Sequence, residues 1–399
     1  MPAPAADSPA EDRRSPFVRL AALLAGTEPG RPALSAAVGE PQHAMPDFVP
    51  DVLAGAVGGF ARYPRAEGLP AYRQAVAGWL DRRYALPRPL DPEREILVLN
   101  GSREGLVSAA AIARRLAPER AGPPVMLLPN PFYAAYAAGA ELAGCEAVVM
   151  PTTRASGWLP DLDALDPALL ARTVAVFIAS PANPQGAIAS RAYLARLVAL
   201  TRAHGALLFS DECYSEIYLG DAPPAGILEA CGGDYSGVVA FNSLSKRSSL
   251  PGLRCGFCAG DADFLKAFLA FRWVASPQVP EPLQAVGIAA YADEVHVAAS
   301  LALYREKFDL ADRVLAGRFG YERPAGGFFL WLDVGAAGGG EAAALRLWAE
   351  QGLRVVPGGY LARRDATGQN PGAPYIRVAL VHDLETCREV LDRLLAGLS

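Results

Sequence analysis

Lysine is scarce in this sequence: the 399 residues contain only Lys246, Lys266 and Lys307, and arginine carries the remaining positive side-chain charge. Lys266 and Lys307 lie in amphipathic helical stretches, so we expect both to be solvated surface charges. The formal net charge of -5 argues against a general nucleic-acid-binding protein, because such proteins are basic. We therefore expect no nucleic-acid partner.

Histidine and cysteine are also few, and neither is clustered. The four histidines are dispersed along the chain, so the sequence predicts no metal site. The six cysteines include no Cys-x-x-Cys pair, which in a long chain indicates reduced core thiols in a cytosolic protein. Cys255 and Cys258 are three residues apart in a predicted strand and should point to opposite faces of a sheet.

Long apolar runs are missing as well. No stretch of roughly 18 uncharged apolar residues occurs, so we expect no membrane-spanning helix and no membrane partner. The N-terminus, MPAPAADSPAEDRRSP, has no apolar core of a signal peptide, and its polar, proline-rich composition predicts disorder over residues 1–15. Together these features predict a cytoplasmic protein.

Seven short apolar runs predict the strands of an α/β domain. They are nearly continuously hydrophobic, as expected when a sheet is covered on both faces. They cover 95–100, 124–129, 146–150, 174–180, 206–211, 237–243 and 254–260. Helical patterns such as 103–117 and 190–205 lie between them. This alternation predicts an open, mostly parallel sheet wrapped by helices in a large domain over residues 60–282.

The pattern changes after residue 282. A long helical stretch over 281–319 leads to sparser strands at 326–334, 353–359 and 374–380, which predicts a smaller α+β domain over residues 283–399. The amphipathic segment 17–26 is expected to pack onto that domain. Residues 16–59 are therefore predicted to form the N-terminal part of the small domain and a linker.

Polar residues follow several predicted strands directly, where ligands bind in open parallel sheets. Gly-Ser-Arg-Glu at 101–104 opens a helix whose N-terminal N–H groups could bind a phosphate, although Ser102 could equally be an ordinary N-cap. Asn183 lies in a turn-rich segment that could be simply a loop. Asp211 ends an apolar strand and needs a partner, because an unpaired buried charge is costly. Taken singly, it is better explained as a satisfied structural carboxylate.

Lys246 follows another predicted strand, in the sequence Ser-Leu-Ser-Lys. Ser243 and Ser245 offer hydroxyl groups and Arg254 a fixed positive charge, a combination that suits a phosphate. A lysine beside other cations has a lowered pKa, so its neutral amine becomes available as a nucleophile. Arginine cannot lose its proton near neutral pH. The sequence therefore predicts that Lys246 performs covalent chemistry.

The segment SLSKRSSLPGLRCGF resembles the Schiff-base motif of class I/II aminotransferases, the fold-type I enzymes that use pyridoxal phosphate (PLP). Seven other segments match family motifs in the same order along the chain. They are 34–46, 63–80, 100–106, 129–136, 180–187, 210–218 and 375–380. The resemblance implies an α/β fold with a mostly parallel seven-stranded sheet in the large domain and a smaller α+β domain.

The resemblance also implies roles for the residues around the ring of PLP. Lys246 would form the Schiff base and then act as the base that moves a proton. Asp211 would pair with the pyridinium nitrogen, which is the partner that this carboxylate needs. Asn183 and Tyr214 would hydrogen-bond the 3-oxygen of the ring, and Tyr133 would stack on its face.

Further roles concern the phosphate and the substrate. The phosphate would be held by Ser102, the Arg103 backbone, Ser243, Ser245 and Arg254. Tyr63 would reach the phosphate from the neighbouring subunit, which implies a homodimer with shared active sites. Arg377 would bind the substrate α-carboxylate in a bidentate manner, beside Asn183. The stretch around Gly39 would close over the substrate.

Within the family, SLSKRSSLPGLRCGF and VGEPQHAMP resemble the proteobacterial type of N-succinyldiaminopimelate aminotransferase. The implied reaction moves an amino group between glutamate and N-succinyl-2-amino-6-oxopimelate, in lysine and cell-wall precursor synthesis. Both substrates carry an additional carboxylate, so a second cationic group besides Arg377 is required. The sequence offers four candidates without deciding between them: Arg62, Arg65, Arg272 and Arg363.

Two other enzymatic interpretations remain open. An aminotransferase with aspartate or broad amino-acid specificity would use the same catalytic residues with a different pocket. A PLP-dependent lyase, such as a C–S lyase or an aminocyclopropane-carboxylate synthase, would share Lys246 and Asp211 but eliminate a leaving group. A non-enzymatic sensor of PLP would need a DNA-binding segment, and the short, proline-rich N-terminus does not offer one.

Overall fold

The computed structural model describes residues 14–120, 122–365 and 367–398. Its helices are α1 Pro16–Leu24, α2 Val49–Ala56, α3 Pro70–Tyr84, α4 Ser102–Leu116, α5 Ala134–Leu142, α6 Pro167–Arg172, α7 Arg191–Ala203, α8 Ile227–Ala230, α9 Leu244–Arg247, α10 Ala262–Ala275, α11 Glu281–Ala292, α12 Val295–Leu315, α13 Gly340–Gln351 and α14 Leu384–Leu398. Its strands are β1 Leu34–Ser35, β2 Ile96–Leu99, β3 Val125–Asn130, β4 Glu146–Pro151, β5 Thr173–Ala179, β6 Leu207–Asp211, β7 Val238–Ser243, β8 Gly256–Gly260, β9 Phe329–Asp333, β10 Leu353–Arg354, β11 Val356–Pro357 and β12 Tyr375–Ala379.

Seven of these strands form one sheet in the order β2-β8-β7-β6-β5-β3-β4. Its pairs are parallel except that β8 runs antiparallel to both neighbours. Successive residues of a strand enter opposite cores: Val98 packs in one and Leu97 in the other. Cys255 and Cys258 are divided in the same way, as predicted. All seven predicted strands and the mostly parallel sheet are confirmed.

The strand directions bring six carboxyl ends to one edge of this sheet, those of β2, β3, β4, β5, β6 and β7. Strands β5, β6 and β7 are parallel neighbours, and β2 runs the same way because β8 is antiparallel to both β2 and β7. Asp211 and Ser243 are the last residues of β6 and β7. Loops and helix starts that follow these strands therefore meet at one edge, where polar side chains can converge.

A second, antiparallel sheet has the order β11-β12-β9 and packs under α12, α13 and α14 in a core of its own. Helix α1 packs on α13 and β11, as expected for the segment 17–26. Most of the segment 1–15 predicted to be disordered lies outside the described residues, and the side chain of Ser15 caps α1 by accepting a hydrogen bond from the N–H of Phe17 (3.4 Å).

The helical stretch 281–319 is two helices rather than one, because α11 and α12 meet at a bend of 73°. Helix α11 packs on α2 and α3 beside the large sheet, whereas α12 packs on α14. The predicted domain boundary between residues 282 and 283 falls within α11. We propose that the break between α11 and α12 divides the chain instead. In the described part of the chain, no single helix is long and apolar enough to cross a membrane, and this bent pair meets that test only when joined.

The three lysines differ in their surroundings. Lys266 is exposed, as expected. The expectation was wrong for Lys307, which is only 3% exposed and lies in the interior face of α12. Amphipathic spacing could not reveal this position, because the polar partners of the amine, His43 and the carbonyl of Val381, come from remote parts of the chain.

Candidate active site

Lys246 lies in α9, the single turn that follows β7. Its Nζ donates a hydrogen bond to the carbonyl of Gly39 and lies 5.3 Å from the centroid of the Phe328 ring. The pKa of Lys246 is lowered to about 8, mainly by burial and also by the charges of Arg377 and Arg103, against the opposing influence of Cys213 and Glu40. The amine therefore loses its proton far more readily than an exposed lysine does.

Asp211 lies at the carboxyl end of β6 and is buried. Its Oδ2 accepts a hydrogen bond from the hydroxyl of Tyr136 (2.8 Å), and its Oδ1 accepts one from the N–H of Cys213 (3.2 Å). Burial raises the pKa of Asp211, while these hydrogen bonds lower it. Within the described residues no cation forms a salt bridge with this carboxylate, so it is suited to a positively charged ligand atom.

Three chain segments form an anion-binding cradle. Gly101, with a φ of 81°, turns the chain from β2 into α4, and a Cβ there would lie 2.5 Å from an Arg254 guanidinium nitrogen. Ser102 is the first helical residue and not the cap, and its Oγ accepts a hydrogen bond from the thiol of Cys213 (3.0 Å). Ser243 Oγ and Ser245 Oγ are 2.9 Å apart. Hydroxyls, a helix N-terminus and a guanidinium suit a phosphate.

Arg377 reaches the same region from β12 of the small sheet. It is 4% exposed, yet among the described residues no carboxylate pairs with it and its Nε has no hydrogen-bond partner. Its Nη1 donates to Asn183 Oδ1 (3.1 Å), and its Nη2 donates to the carbonyl of Ala37 (2.9 Å). Burial lowers the pKa of Arg377 to about 10. A buried guanidinium without an anion is suited to bind a carboxylate ligand.

Aromatic rings enclose the space between these groups. Tyr214 packs edge-on against Phe328 (5.2 Å between ring centroids) and Phe329 (6.0 Å). Gly39 fits closely here, because a Cβ would lie 2.5 Å from the Phe329 ring. The hydroxyl of Tyr133 accepts a hydrogen bond from Arg103 Nε (2.5 Å). The cluster thus combines an amine, a carboxylate, an anion cradle and a free guanidinium inside an aromatic enclosure.

The family described as "Aminotransferase class I and II" matches residues 33–394 of this chain. The chain is a class I/II aminotransferase. An LL-diaminopimelate aminotransferase of Desulforudis audaxviator is 32% identical over 387 residues, covering 95% of this chain and 94% of the relative. The aminotransferase of Neisseria meningitidis Z2491, whose crystal structure is known, is 36% identical with a TM-score of 0.89 and covers 96% of this chain and 97% of the other.

A relative that is named for a different reaction is about as similar to this aminotransferase. The 4-dedimethylamino-4-oxo-anhydrotetracycline transaminase OxyQ of Streptomyces rimosus is 34% identical over 362 residues, covering 90% of this chain and 92% of the relative. Aminotransferases of this family are PLP-dependent, and the predicted fold, enzyme class and cofactor are confirmed. Similarity at this level does not distinguish one amino-acid substrate from another.

The site residues of this aminotransferase fit PLP. The unpaired Asp211 carboxylate suits a protonated pyridine nitrogen, and the cradle of Gly101, Ser102 and Arg254 suits the phosphate. The buried amine of Lys246 has a lowered pKa, so it is suited to react with the aldehyde group of PLP. These assignments of individual residues remain proposals that rest on the geometry.

Tyr63 and the arginines predicted as candidates for the second carboxylate anchor lie outside this cluster. Tyr63 is 97% exposed and takes no part in this chain's own cluster. Arg272, a candidate for the second carboxylate anchor, is 1% exposed and donates two hydrogen bonds to Glu104 (2.8 and 2.9 Å). It is therefore engaged within the protein. Arg363 pairs with Glu141 (2.6 Å), whereas Arg62 and Arg65 are both exposed, close to Tyr63 in sequence.

Sequence reasoning missed Tyr136, Cys213 and the Phe328–Phe329 pair. Tyr136 follows Tyr133 by three residues, so helical spacing alone could have placed both at the site. Cys213 stands between Asp211 and Tyr214, but a lone cysteine in a buried turn gives no signal. Phe329 is the first residue of β9 and Phe328 directly precedes it, so their place at the site depends on the packing of the two sheets.

Proposed function

We propose that this aminotransferase exchanges an amino group between glutamate and a 2-oxo acid of the diaminopimelate type, in lysine and cell-wall precursor synthesis. One observation supports the amino-acid chemistry most directly: a buried, anion-free Arg377 lies beside Asn183 and near the amine of Lys246. The diaminopimelate substrate is supported by the motif resemblance around Lys246 and by the similarity to the LL-diaminopimelate aminotransferase of Desulforudis audaxviator.

The finer proposal concerns the form of the substrate. The residues around Lys246 resemble enzymes of N-succinyl-LL-diaminopimelate with 2-oxoglutarate, whereas the curated relative is named for LL-diaminopimelate itself. Either substrate carries a second carboxylate. Besides Arg62, Arg65 and Arg363, the side chain of Arg103 can reach it, because it is exposed at the Tyr133 side of the site and its charge acts on Lys246.

In the proposed mechanism, Arg377 binds the α-carboxylate with two parallel N–H donors and so fixes the orientation of the amino acid. PLP, when bound, supplies an electron sink for the bond that breaks at the α-carbon. The neutral amine of Lys246 accepts the proton from the α-carbon of the substrate and would deliver it to the aldehyde carbon of PLP. Its lowered pKa, about 8, keeps enough neutral amine available near physiological pH.

The remaining residues orient the cofactor and exclude water. Asp211, which accepts a hydrogen bond from Tyr136, would stabilise a positive charge on the pyridine nitrogen of PLP. Asn183 and Tyr214 provide polar groups beside the ring, and Tyr133 provides an aromatic face. The segment around Gly39 covers Lys246. We also propose a homodimer, in which Tyr63 of each chain completes the phosphate site of its partner.

A half-reaction screen tests the substrate. The purified PLP form is mixed separately with glutamate, aspartate, aromatic amino acids, LL-diaminopimelate and N-succinyl-LL-diaminopimelate, and the visible absorbance of the bound cofactor is followed. Fast loss with glutamate and one diaminopimelate form, and little with the others, is the expected result. Comparable rates with aromatic amino acids or aspartate would overturn the pathway but not the mechanism.

Controls separate the other interpretations. Lys246→Ala should lose the visible absorbance, with Lys266→Ala, at an exposed lysine, as the matched variant. Arg377→Ala should raise the Michaelis constant of every amino acid by roughly 100-fold, because a buried charged contact is lost. Release of ammonia and pyruvate from cystathionine, without amino transfer, would instead identify a lyase.

A further inference from the structure

The chain segment that covers Lys246 is fixed firmly at its beginning. Ala36 donates its N–H to the carbonyl of Arg354 (2.9 Å) and accepts a hydrogen bond from the N–H of Ala379 (2.8 Å). The carbonyl of Ala37 accepts one from Arg377. Residues 38–42, the cover segment, then pass over Lys246, whose Nζ donates to the carbonyl of Gly39.

A second anchor follows at His43. Its Nε2 lies 2.6 Å from Lys307 Nζ, and its Nδ1 lies 3.0 Å from Ser300 Oγ. Because an ammonium group can only donate, Nε2 accepts from protonated Lys307 and Nδ1 carries the proton that it donates to Ser300. Burial, with the charge of Lys307 as a further cause, lowers the pKa of His43 to about 4, so the imidazole is neutral and free to accept.

An aromatic column connects this anchor to the catalytic lysine. The His43 ring lies 4.4 Å from the ring of Tyr304, which stacks on Phe328 at 5.5 Å. Phe328 in turn lies 5.3 Å from Lys246 Nζ. The side chains are therefore in continuous contact from α12 of the small domain to the cover segment and the amine.

The surroundings of Lys307 offer hydrogen-bond acceptors that an apolar side chain of the same size could not use. Its Nζ also donates to the carbonyl of Val381 (3.4 Å) and lies 4.9 Å from the Tyr304 ring centroid. Burial lowers the pKa of Lys307 to about 8, opposed by Cys387 and Asp383. Placing this charge in the interior is costly, and an apolar residue would avoid that cost. The amine is accounted for by its contact with His43.

We propose that Lys307 and His43 are positioning residues of the aminotransferase, which hold the cover segment over Lys246 so that the amino-acid substrate meets a preformed lid. With the anchor at Ala36–Ala37, they fix both ends of residues 38–42. Without them the chain from residue 38 to the turn at Pro46–Val49 would keep the Lys246–Gly39 hydrogen bond and the burial of Pro41 but would lose its side-chain anchor. The inference rests on the proposed function only in taking the amino acid to bind beneath Gly39.

The experiment compares Lys307→Met with Lys266→Met, the same change at the exposed lysine. Lys307→Met should raise the Michaelis constant of the fastest donor about tenfold, because a buried hydrogen bond to a charged group is lost. Its kcat should stay within about twofold, since the loss is in substrate binding. Hydrogen exchange of the protein without substrate should become about tenfold faster at residues 38–43, while β9 and β12 keep their protection. Lys266→Met should change none of these quantities.

Two variants of His43 keep the test valid if Lys307→Met fails to fold. His43→Gln retains a neutral acceptor and a donor, so it should behave nearly as the wild type, whereas His43→Leu should reproduce the effects of Lys307→Met. Unchanged exchange at residues 38–43 in His43→Leu would overturn the proposal. Equal acceleration throughout β9 and β12 would overturn it too, because it would indicate general loss of stability. The exchange measurement needs no substrate, so its failure is distinct from an error in the proposed function.

Discussion

Burial shifts the pKa values of Lys246 and Asp211, two ionisable groups of the catalytic cluster, in opposite directions. It lowers the pKa of Lys246 to about 8 and raises that of Asp211, so each group is moved toward its neutral form. The Asp211 carboxylate accepts hydrogen bonds from Tyr136 and Cys213, whereas the Lys246 amine donates to the carbonyl of Gly39 and lies beside the Phe328 ring. The hydrogen bonds offset only part of the effect of burial on Asp211, and burial leaves the amine of Lys246 readily deprotonated.

Removal of the Tyr136 hydroxyl tests this balance. Tyr136→Phe deletes a hydrogen bond that stabilises ionised Asp211, so the carboxyl pKa should rise. Activity requires the ionised form, and therefore the acid limb of the kcat/KM profile should move to higher pH by about one unit. Tyr193→Phe is the control, because that hydroxyl donates only to the carbonyl of Pro160 (2.7 Å). An unmoved acid limb in Tyr136→Phe would contradict the role of this hydrogen bond.

At this scale the sequence identified residue types with a chemical purpose. Lys246 and Asp211 could be singled out because a rare amine after a strand and a buried carboxylate each call for a chemical reason, whereas Arg377 was identified through the family resemblance. Lys307 was misjudged for the reason that its partner, His43, is 264 residues away in sequence. Helical spacing reports which face of a helix is apolar, and it contains no information on a distant acceptor.

At the scale of elements, Arg247 joins the turn of Lys246 to the break between α11 and α12. Its Nη1 donates to the carbonyl of Ala290 (2.7 Å), and its Nη2 donates to Glu294 (2.6 Å). The guanidinium lies 5.3 Å from the ring centroids of both Trp79 and Tyr291. Ser248 continues the contact through His296 Nε2 (2.8 Å). The position of α9 is thereby tied to the bend.

Arg247→Met should destabilise the protein by about 2 kcal/mol, because buried hydrogen bonds and two cation–π contacts are lost. Arg196→Met is the matched control, since Arg196 and Asp163 form an exposed pair expected to contribute less than about 1 kcal/mol. Urea unfolding of both variants measures the difference. Equal unfolding midpoints would show that Arg247 does not fasten α9 to the bend.

The elements themselves were largely predictable, and the bend was not. Continuous apolar runs identified all seven strands of the large sheet, because burial on both faces leaves few polar positions. The stretch 281–319 has helical periodicity almost throughout. Its break is fixed by a local contact between Asp293 and His296 and by contacts of Asp293 and Glu294 with Arg247, which comes from a remote part of the chain.

At the scale of the whole molecule, the cluster is assembled across two sheets. Asn183 and Lys246 follow strands of the large sheet, and Arg377 and Phe329 belong to the small one. Val57, Phe60 and Tyr63 are exposed together along one short stretch of chain. This exposed apolar and aromatic stretch supports the proposed homodimer, in which Tyr63 would complete the phosphate site of the partner.

Mixed dimers test the shared site. The homodimers of Lys246→Ala and Tyr63→Ala should each have low activity at limiting PLP. Random mixing of the two chains should restore about a quarter of the wild-type activity, because half of the dimers are mixed and each has one intact site. Activity of the mixture equal to the mean of the two parents would show that Tyr63 serves its own chain or no site at all.

The sequence by itself determined the fold class, the family and most of the polar residues of the catalytic cluster. These follow from local patterns, namely apolar runs, residues placed directly after strands, and motifs in a fixed order. Only the tertiary structure decided which arginines are free, that Lys307 is buried against His43, and that α11 and α12 meet at a bend. Each of these depends on contacts between residues far apart in sequence, and local patterning does not encode the partner of a buried charge.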